Sequence, residues 1–510
     1  MRSLVKIDKE RQLAIIRGII VGLLVGIVVS SFRWLVEYIL HGWNSLFQAI
    51  KSGSNPVLAL GAVLLLFFGL TFILGKIIEK DPNVNGSGIP QVEAQLAGQL
   101  TINPLSVFWR KYLGGLISIG SGAFLGREGP SVQLGAAVGE LFSLRRRLTG
   151  QDKKLLIAMG SAAGLSAAFG APIAGTLFVL EEVYRSFSLL VWLGSLASAI
   201  MSDIVSSYVF GLQPVLNIKI TYTLPLNQYG WLIILGLFLG LAGYIYQQVT
   251  LRASNFYRLF WWLPRQYHFG LVFLTLLPIG LYWPQLLGGG SLIITKLSQY
   301  QNSLQILGLI LIIRFVGSAL AFGSGVPGGI FLPILTLGAI SGELFGATLL
   351  HWQLISAAAL PNMLVLGMVG YFACVSKAPF TAIILIAEMV GSMEHLVPMA
   401  LVALIAYLIV DVLGGEPIYE ALRAKLKLPS ALASLSGHIE ELRIIVAPTG
   451  PLENKEVRQL ELPKGVLIEK IVRDSKSYVA NGDFILHIGD EVILLVNAEK
   501  YAEVWQKLVL

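Results

Sequence analysis

Three short stretches of this 510-residue chain combine glycine and proline in a pattern suited to holding an anion: Gly86-Ser-Gly-Ile-Pro90, Gly126-Arg-Glu-Gly-Pro130 and Gly328-Gly-Ile-Phe-Leu-Pro333. Glycine lets a backbone approach an ion closely, and proline in the first turn of a helix sets φ without removing a needed N–H. A helix N-terminus offers unpaired N–H donors and a partial positive charge. Several of them aimed at one point bind an anion without a full positive charge, so that the ion can also leave. Any one of these loops could be a packing kink in a helix. Three of them within an internal repeat point to a site.

The repeat is explicit. Residues 120–142 (GSGAFLGREGPSVQLGAAVGELF) and 323–345 (GSGVPGGIFLPILTLGAISGELF) agree at 12 of 23 positions at an offset of 203. Both lie in apolar sequence, where helices interrupted by Gly and Pro at membrane depth survive only around a cavity or a binding site. Paired interruptions in two halves of a chain mark the substrate site of a secondary transporter.

The elements that must position these loops are membrane helices. The chain is 55% hydrophobic with a mean hydropathy of +0.74, and 13% of its residues are charged, against ~25% in soluble proteins. Apolar runs near 13–40, 56–78, 187–211, 229–250, 268–286, 304–322 and 396–413 approach the ~20 residues that cross a bilayer. Shorter runs at 111–125, 131–143, 155–168 and 172–183 end at Gly or Pro and read as tilted or half-crossing helices. No short apolar stretch with a small-residue cleavage site opens the chain, so no removed signal peptide is expected.

Other chemistries find little support. The single cysteine, Cys374, excludes an intrachain disulfide framework and argues against a thiolate metal cluster. The six histidines (41, 268, 351, 395, 438, 487) show no ligand spacing. No nucleophile–base pair stands out, so the reading is of a non-enzyme without metal or cofactor.

Charge divides the chain. From His438 onwards there are 9 basic and 12 acidic residues, a balance of −3, so the first 437 residues carry +10 and the whole chain +7. A basic membrane part implies Lys and Arg in cytoplasmic loops rather than nucleic-acid binding. Arg2, Lys6, Lys9 and Arg11 precede the first span and place the N-terminus inside. Residues 1–428 therefore read as a transmembrane domain, with halves at about 12–211 and 229–413, followed by a linker at 429–437 and a soluble domain at 438–510. In that tail Leu442–Val446, Val466–Val472 and Val492–Val496 are β-type runs, and Asn497–Leu508 reads as a closing helix. At about 73 residues it can hold only a small core, so pairing with a second copy is expected.

GSGIP, GREGP and GGIFLP, in this order and spacing, resemble the signature loops of the CLC family of chloride channels and chloride/proton exchangers. The resemblance covers roughly 12–428. It extends to Gly170-Ala-Pro172 with Glu181-Glu182, to Lys377-Ala-Pro379 with Glu388, and to Gly414-Gly-Glu-Pro-Ile-Tyr419. The two Ala-Pro…Glu elements match at an offset of 207. The resemblance implies an all-α polytopic fold built as an inverted repeat, in a homodimer with one anion pathway per subunit. The tail, from Leu460-Glu-Leu-Pro-Lys-Gly465 to Ile488-Gly-Asp490, resembles the C-terminal lobe of RCK or TrkA-type regulatory domains. It implies a small α+β cytoplasmic domain that could take a small-molecule ligand.

Carried over by position, the resemblance implies that Ser87 and Tyr419 offer hydroxyls to the anion, and that the amides of Ile330 and Phe331 bind it from the opposing helix. It implies that Glu128 is gate and proton carrier: a carboxylate beside helix N-termini mimics an anion, and when protonated it swings out and admits chloride. An intramembrane acid is a functional-site hypothesis by default. Against this stands a charge simply satisfied by Arg127. Glu182 is implied to pass protons from the cytoplasm, as in the exchangers of the family, with Glu181 the more structural neighbour. The resulting expectation is a chloride/proton antiporter in a prokaryotic plasma membrane. The alternatives are a passive channel of the same fold, a fluoride exporter, which Ser87 and Tyr419 disfavour, and a regulatory subunit of a cation transport system, against which no TVGYG-type filter occurs.

Overall fold

A computed structural model describes residues 2–52, 55–185, 187–299 and 302–426, and in the tail 439–447, 452–460, 462, 466–473, 476–497 and 504. The chain divides into two units, Met1–Leu426 and Lys427–Leu510.

The elements of the first unit are helices, and seven helices among the described residues are long and apolar enough to cross a membrane. The opening helix, Arg2–Ser52, has 51 residues. At 1.5 Å per residue that is roughly 76 Å, more than twice a hydrocarbon core of about 30 Å. The apolar run near 268–286 behaves differently from its composition: its helix, Phe269–Tyr282, has only 14 residues, carries Pro278 inside and stops before Trp283-Pro284. Conversely, Phe331–His351 and Leu360–Ser376 are helices of spanning length that stand out little as apolar runs. Their glycines and Glu343 dilute the hydropathy, and 78% and 89% of their apolar windows are buried inside protein rather than turned to lipid.

The two halves are built alike. In each, a helix (Pro104–Gly120 or Leu304–Gly323) leads through a glycine loop into a buried helix (Glu128–Arg145 or Phe331–His351), then a third (Gly150–Phe169 or Leu360–Ser376) and a short one behind Ala-Pro (Pro172–Phe178 or Pro379–Val390). The third helix ends in a left-handed residue in both halves, Gly170 at φ 64° and Lys377 at φ 57°. The second and third helices meet through small residues. A Cβ on Gly135 would strike the carbonyl of Gly160, and one on Gly338 would meet that of Gly367 at 2.5 Å. Close backbone approach of this kind is how helices associate where apolar burial discriminates little between lipid and protein.

A local two-fold relates the halves. Gly126 and its repeat counterpart Gly329 exchange both backbone hydrogen bonds, at 2.7 and 2.8 Å, as an antiparallel bridge. The Ala-Pro elements are equally reciprocal. Glu181 accepts from the amides of Phe380 (3.2 Å) and Thr381 (2.8 Å), while Glu388 accepts from those of Ile173 (3.1 Å) and Ala174 (2.8 Å). Each carboxylate thus caps the helix of the other half, as a negative charge at a helix N-terminus should.

The tail unit is a four-stranded antiparallel sheet in the order β1-β4-β2-β3, with β1 Ile439–Ile445, β2 Val466–Arg473, β3 Lys476–Tyr478 and β4 Glu491–Asn497. Three strands lie where β-type runs were expected, and the short β3 is additional. Ile444, Ile471, Val492 and Leu494 form its core. Asp490 accepts from Arg473 at 2.7 and 2.6 Å and from the His487 amide at 2.8 Å. Those bonds to Arg473 hold its carboxyl below the usual carboxylate range. The expected linker at 429–437 lies outside the described residues, as does all but Asn497 and Val504 of the expected closing helix.

Candidate anion site

The three glycine–proline loops are sewn together by their backbones. The Gly86 amide donates to Val326 (3.1 Å) and the Gly328 amide to Gly86 (2.9 Å), beside the reciprocal Gly126–Gly329 pair. The helices that follow, Ile89–Leu96, Glu128–Arg145 and Phe331–His351, therefore all begin at one junction. Lack of side chains makes this approach possible: a Cβ on Gly129 would lie 2.7 Å from Ser87 Cβ, and one on Gly329 would lie 3.2 Å from the Gly129 amide. Ile330 and Phe331, both fully buried, head the last of these helices. Their amides donate to no acceptor among the described residues.

Ser87 is 2% exposed, and its Oγ accepts from the Ile89 amide at 3.3 Å, a local serine turn just ahead of the helix that Gly88 starts. Its own O–H is left to donate elsewhere. Tyr419 is fully buried on helix Ile418–Arg423, and its hydroxyl has no partner among the described residues. Its ring stands edge-on to Phe178 at 6.3 Å, and Phe178 stands edge-on to Phe331 at 5.8 Å.

Glu128 is fully buried, and no side chain among the described residues donates to its carboxylate, which lies beside its own amide and that of Leu332 without a well-formed hydrogen bond to either. Arg127 is engaged elsewhere: its Nη1 donates to Glu37 Oε1 at 2.6 Å, and Glu37 also receives Arg33 at 3.4 Å. The Glu128 carboxylate leans over the junction. A Cβ on Gly126 would collide with its Oε2 and lie 3.1 Å from the amide nitrogen of Leu332.

Glu181 and Glu182 sit on one π-helical turn, Val179–Val183, a local widening found often at functional sites. Glu181 points to its cap, whereas Glu182 is 2% exposed, with the Arg185 guanidinium 3.8 Å away. Arg185 also bonds Glu420, the neighbour of Tyr419, at 2.6 Å. A further acid, Glu93, joins this group: it is 2% exposed, its oxygens are unpartnered, and it lies within electrostatic reach of Glu182, Arg185, Glu420 and Arg423. Sequence reasoning passed over Glu93, although an acid three residues after Pro90 in an apolar setting was the available signal.

Two buried cations were also missed. Lys111 donates to the carbonyls of Val84 (2.9 Å) and Gly86 (2.8 Å), directly beside Ser87. Arg314 donates to Leu286 (3.0 Å), Gly288 (2.6 Å) and Gly289. The two are repeat counterparts at the same offset of 203. Each holds the loop that opens a short helix, Ile89–Leu96 or Ser291–Leu297.

The sequence profile of the voltage gated chloride channel family matches residues 70–411. The chain belongs to the voltage-gated chloride channel family. Residues 442–508 match the TrkA-C domain. The H(+)/Cl(-) exchange transporter ClcA of Vibrio campbellii is 35% identical over 416 residues, covering 79% of this chain and 87% of that protein. The ClcA transporter of Salmonella arizonae is 31% identical, covering 83% and 91%. Among solved structures, a slow cyanobacterial Cl-/H+ antiporter superposes with a TM-score of 0.74 at 28% identity, over 80% of this chain and 97% of that one. A CLC-type fluoride/proton antiporter shares the fold alone, with a TM-score of 0.65 at 21% identity. The protein is thus a multi-pass membrane protein of the CLC fold with a small C-terminal domain.

Proposed function

We propose that the protein is a secondary active transporter that exchanges chloride for protons. The observation that carries this reading is the meeting of a donor set without acceptors and a buried carboxylate without a side-chain partner at one junction: the amides of Ile330 and Phe331, the hydroxyls of Ser87 and Tyr419, and Glu128, which lies beside the Leu332 amide. Chloride accepts the amides and hydroxyls in place of its hydration shell. The Glu128 carboxylate, carrying the same charge, competes for the place beside the helix N-terminus. A proton on Glu128 removes that charge, frees the site for chloride, and is itself carried across. Glu182, buried on the side of Tyr419 and Glu420, supplies a separate proton entry that touches no anion ligand. The exchange activity named for the relatives supports the same conclusion.

The finer assignment is of a homodimer with one pathway per subunit, in a prokaryotic plasma membrane, with N-terminus and tail in the cytoplasm and the tail binding a small molecule. The basic N-terminal segment supports that orientation. The test is purified protein in liposomes under an imposed chloride gradient. Protons are expected to move against the chloride flux; chloride flux without proton movement would instead give a passive channel.

A further inference from the structure

A groove of about 660 Å³ runs along the outside of the membrane unit between helices Pro56–Lys80 and Pro104–Gly120. Its walls are apolar side chains turned outward: Phe72 is 52% exposed, Trp109 55% and Leu113 49%. Its end is cationic. Lys76 and Lys80 come from the last turns of one helix, Arg110 from the opening turns of the other, and no carboxylate lines the groove. Because the two helices run antiparallel from a shared end, these three cations stand at one face of the membrane while the aromatic wall reaches inward.

We propose that this groove binds one anionic phospholipid, its phosphate among Lys76, Lys80 and Arg110 and an acyl chain against Phe72, Trp109 and Leu113. Charge and polarity both fit. An acyl chain is the natural occupant of an apolar cleft at membrane depth, and a phosphate accepts from ammonium and guanidinium groups. Lys80 is free to do so, having no ion pair among the described residues, while Lys76 shares Glu79 at 2.8 Å and Arg110 donates to Ser106, whose hydroxyl in turn donates to Asp81. The groove also has a route to the anion site. Arg110 precedes Lys111, which holds the carbonyls of Val84 and Gly86 beside Ser87. An occupied groove would steady the helix that fixes this loop.

The test measures lipid binding directly, independently of transport. Full-length protein from nanodiscs of mixed phosphatidylglycerol and phosphatidylcholine is examined by native mass spectrometry, and its thermal stability is followed on adding each lipid. Retention of one phosphatidylglycerol per chain is expected, weakened on the order of a hundredfold by Lys76→Gln with Lys80→Gln and Arg110→Gln, and roughly fivefold by Lys80→Gln alone. The single variant, which breaks no contact, keeps the test valid if the triple variant fails to fold. Glycerophosphate, a headgroup without chains, should give no stabilisation. Equal retention of the two lipids overturns the proposal. So does an unchanged Lys80→Gln variant, or an equal loss on replacing the exposed Arg145, Arg146 and Arg147 by Gln.

Discussion

Glu128 and Glu182 differ in what surrounds them, and that difference separates their expected phenotypes. Glu128 sits on the junction of three helix starts, beside the Leu332 amide and with no side-chain partner among the described residues. Glu128→Gln keeps the shape but can neither carry a proton nor compete as an anion, so chloride flux should persist while proton movement under a chloride gradient disappears. Surviving proton pumping would remove Glu128 from the mechanism. Glu182→Val should also uncouple, but with chloride still competing against Glu128, because no anion ligand is touched. Proton uptake and chloride efflux measured in the same vesicles decide this, and wild-type coupling in the Val variant would mean that protons enter elsewhere, with Glu93 the next acid to replace. The Ser87 Oγ accepts from the Ile89 amide, which leaves its O–H to donate. Ser87→Pro removes that donor, so the preference for chloride over nitrate should fall in competition flux assays, and an unchanged ratio would deny Ser87 a place among the ligands.

At the scale of elements, the reciprocal caps make a paired prediction. Glu181 and Glu388 each accept two backbone amides of the opposite half. Hydrogen bonds to a charged group are worth roughly 1.5–3 kcal/mol each. Glu181→Gln and Glu388→Gln should therefore both lower the thermal midpoint, Glu181→Gln the more because Glu181 also accepts from the Thr381 hydroxyl at 2.7 Å, while leaving the ratio of protons to chloride unchanged. A change in that ratio for Glu181→Gln alone would show that it shares the proton path with Glu182. The two adjacent acids meet different partners because successive side chains on a helical turn point in different directions.

The whole molecule consists of a membrane unit that holds every residue assigned to the ion pathway and a tail unit that holds none of them. A chain ending at Leu426 should still exchange chloride for protons in liposomes. Its rate, rather than its coupling, should depart from that of the full chain, as for a domain that acts on transport through a coupling free energy. Complete loss of flux in a folded truncation would make the tail part of the transport machinery.

The sequence by itself determined the class of the protein. Apolar runs need only composition, and a repeat needs only alignment of the chain with itself, so membrane helices, paired glycine loops and a β-rich tail were legible in one dimension. The three loops and Glu128 were legible too, because Gly, Pro and a charge in an apolar setting each have few physical uses. What the tertiary structure decided was partnership. That Arg127 serves Glu37 rather than Glu128, that Glu181 and Glu388 cap across the two-fold, and that Lys111 and Arg314 hold equivalent loops depend on residues far apart in sequence meeting in space. Helix Leu360–Ser376 shows the same limit: its environment is protein on nearly every side, and hydropathy reports a residue's affinity for lipid, not which neighbours replace it.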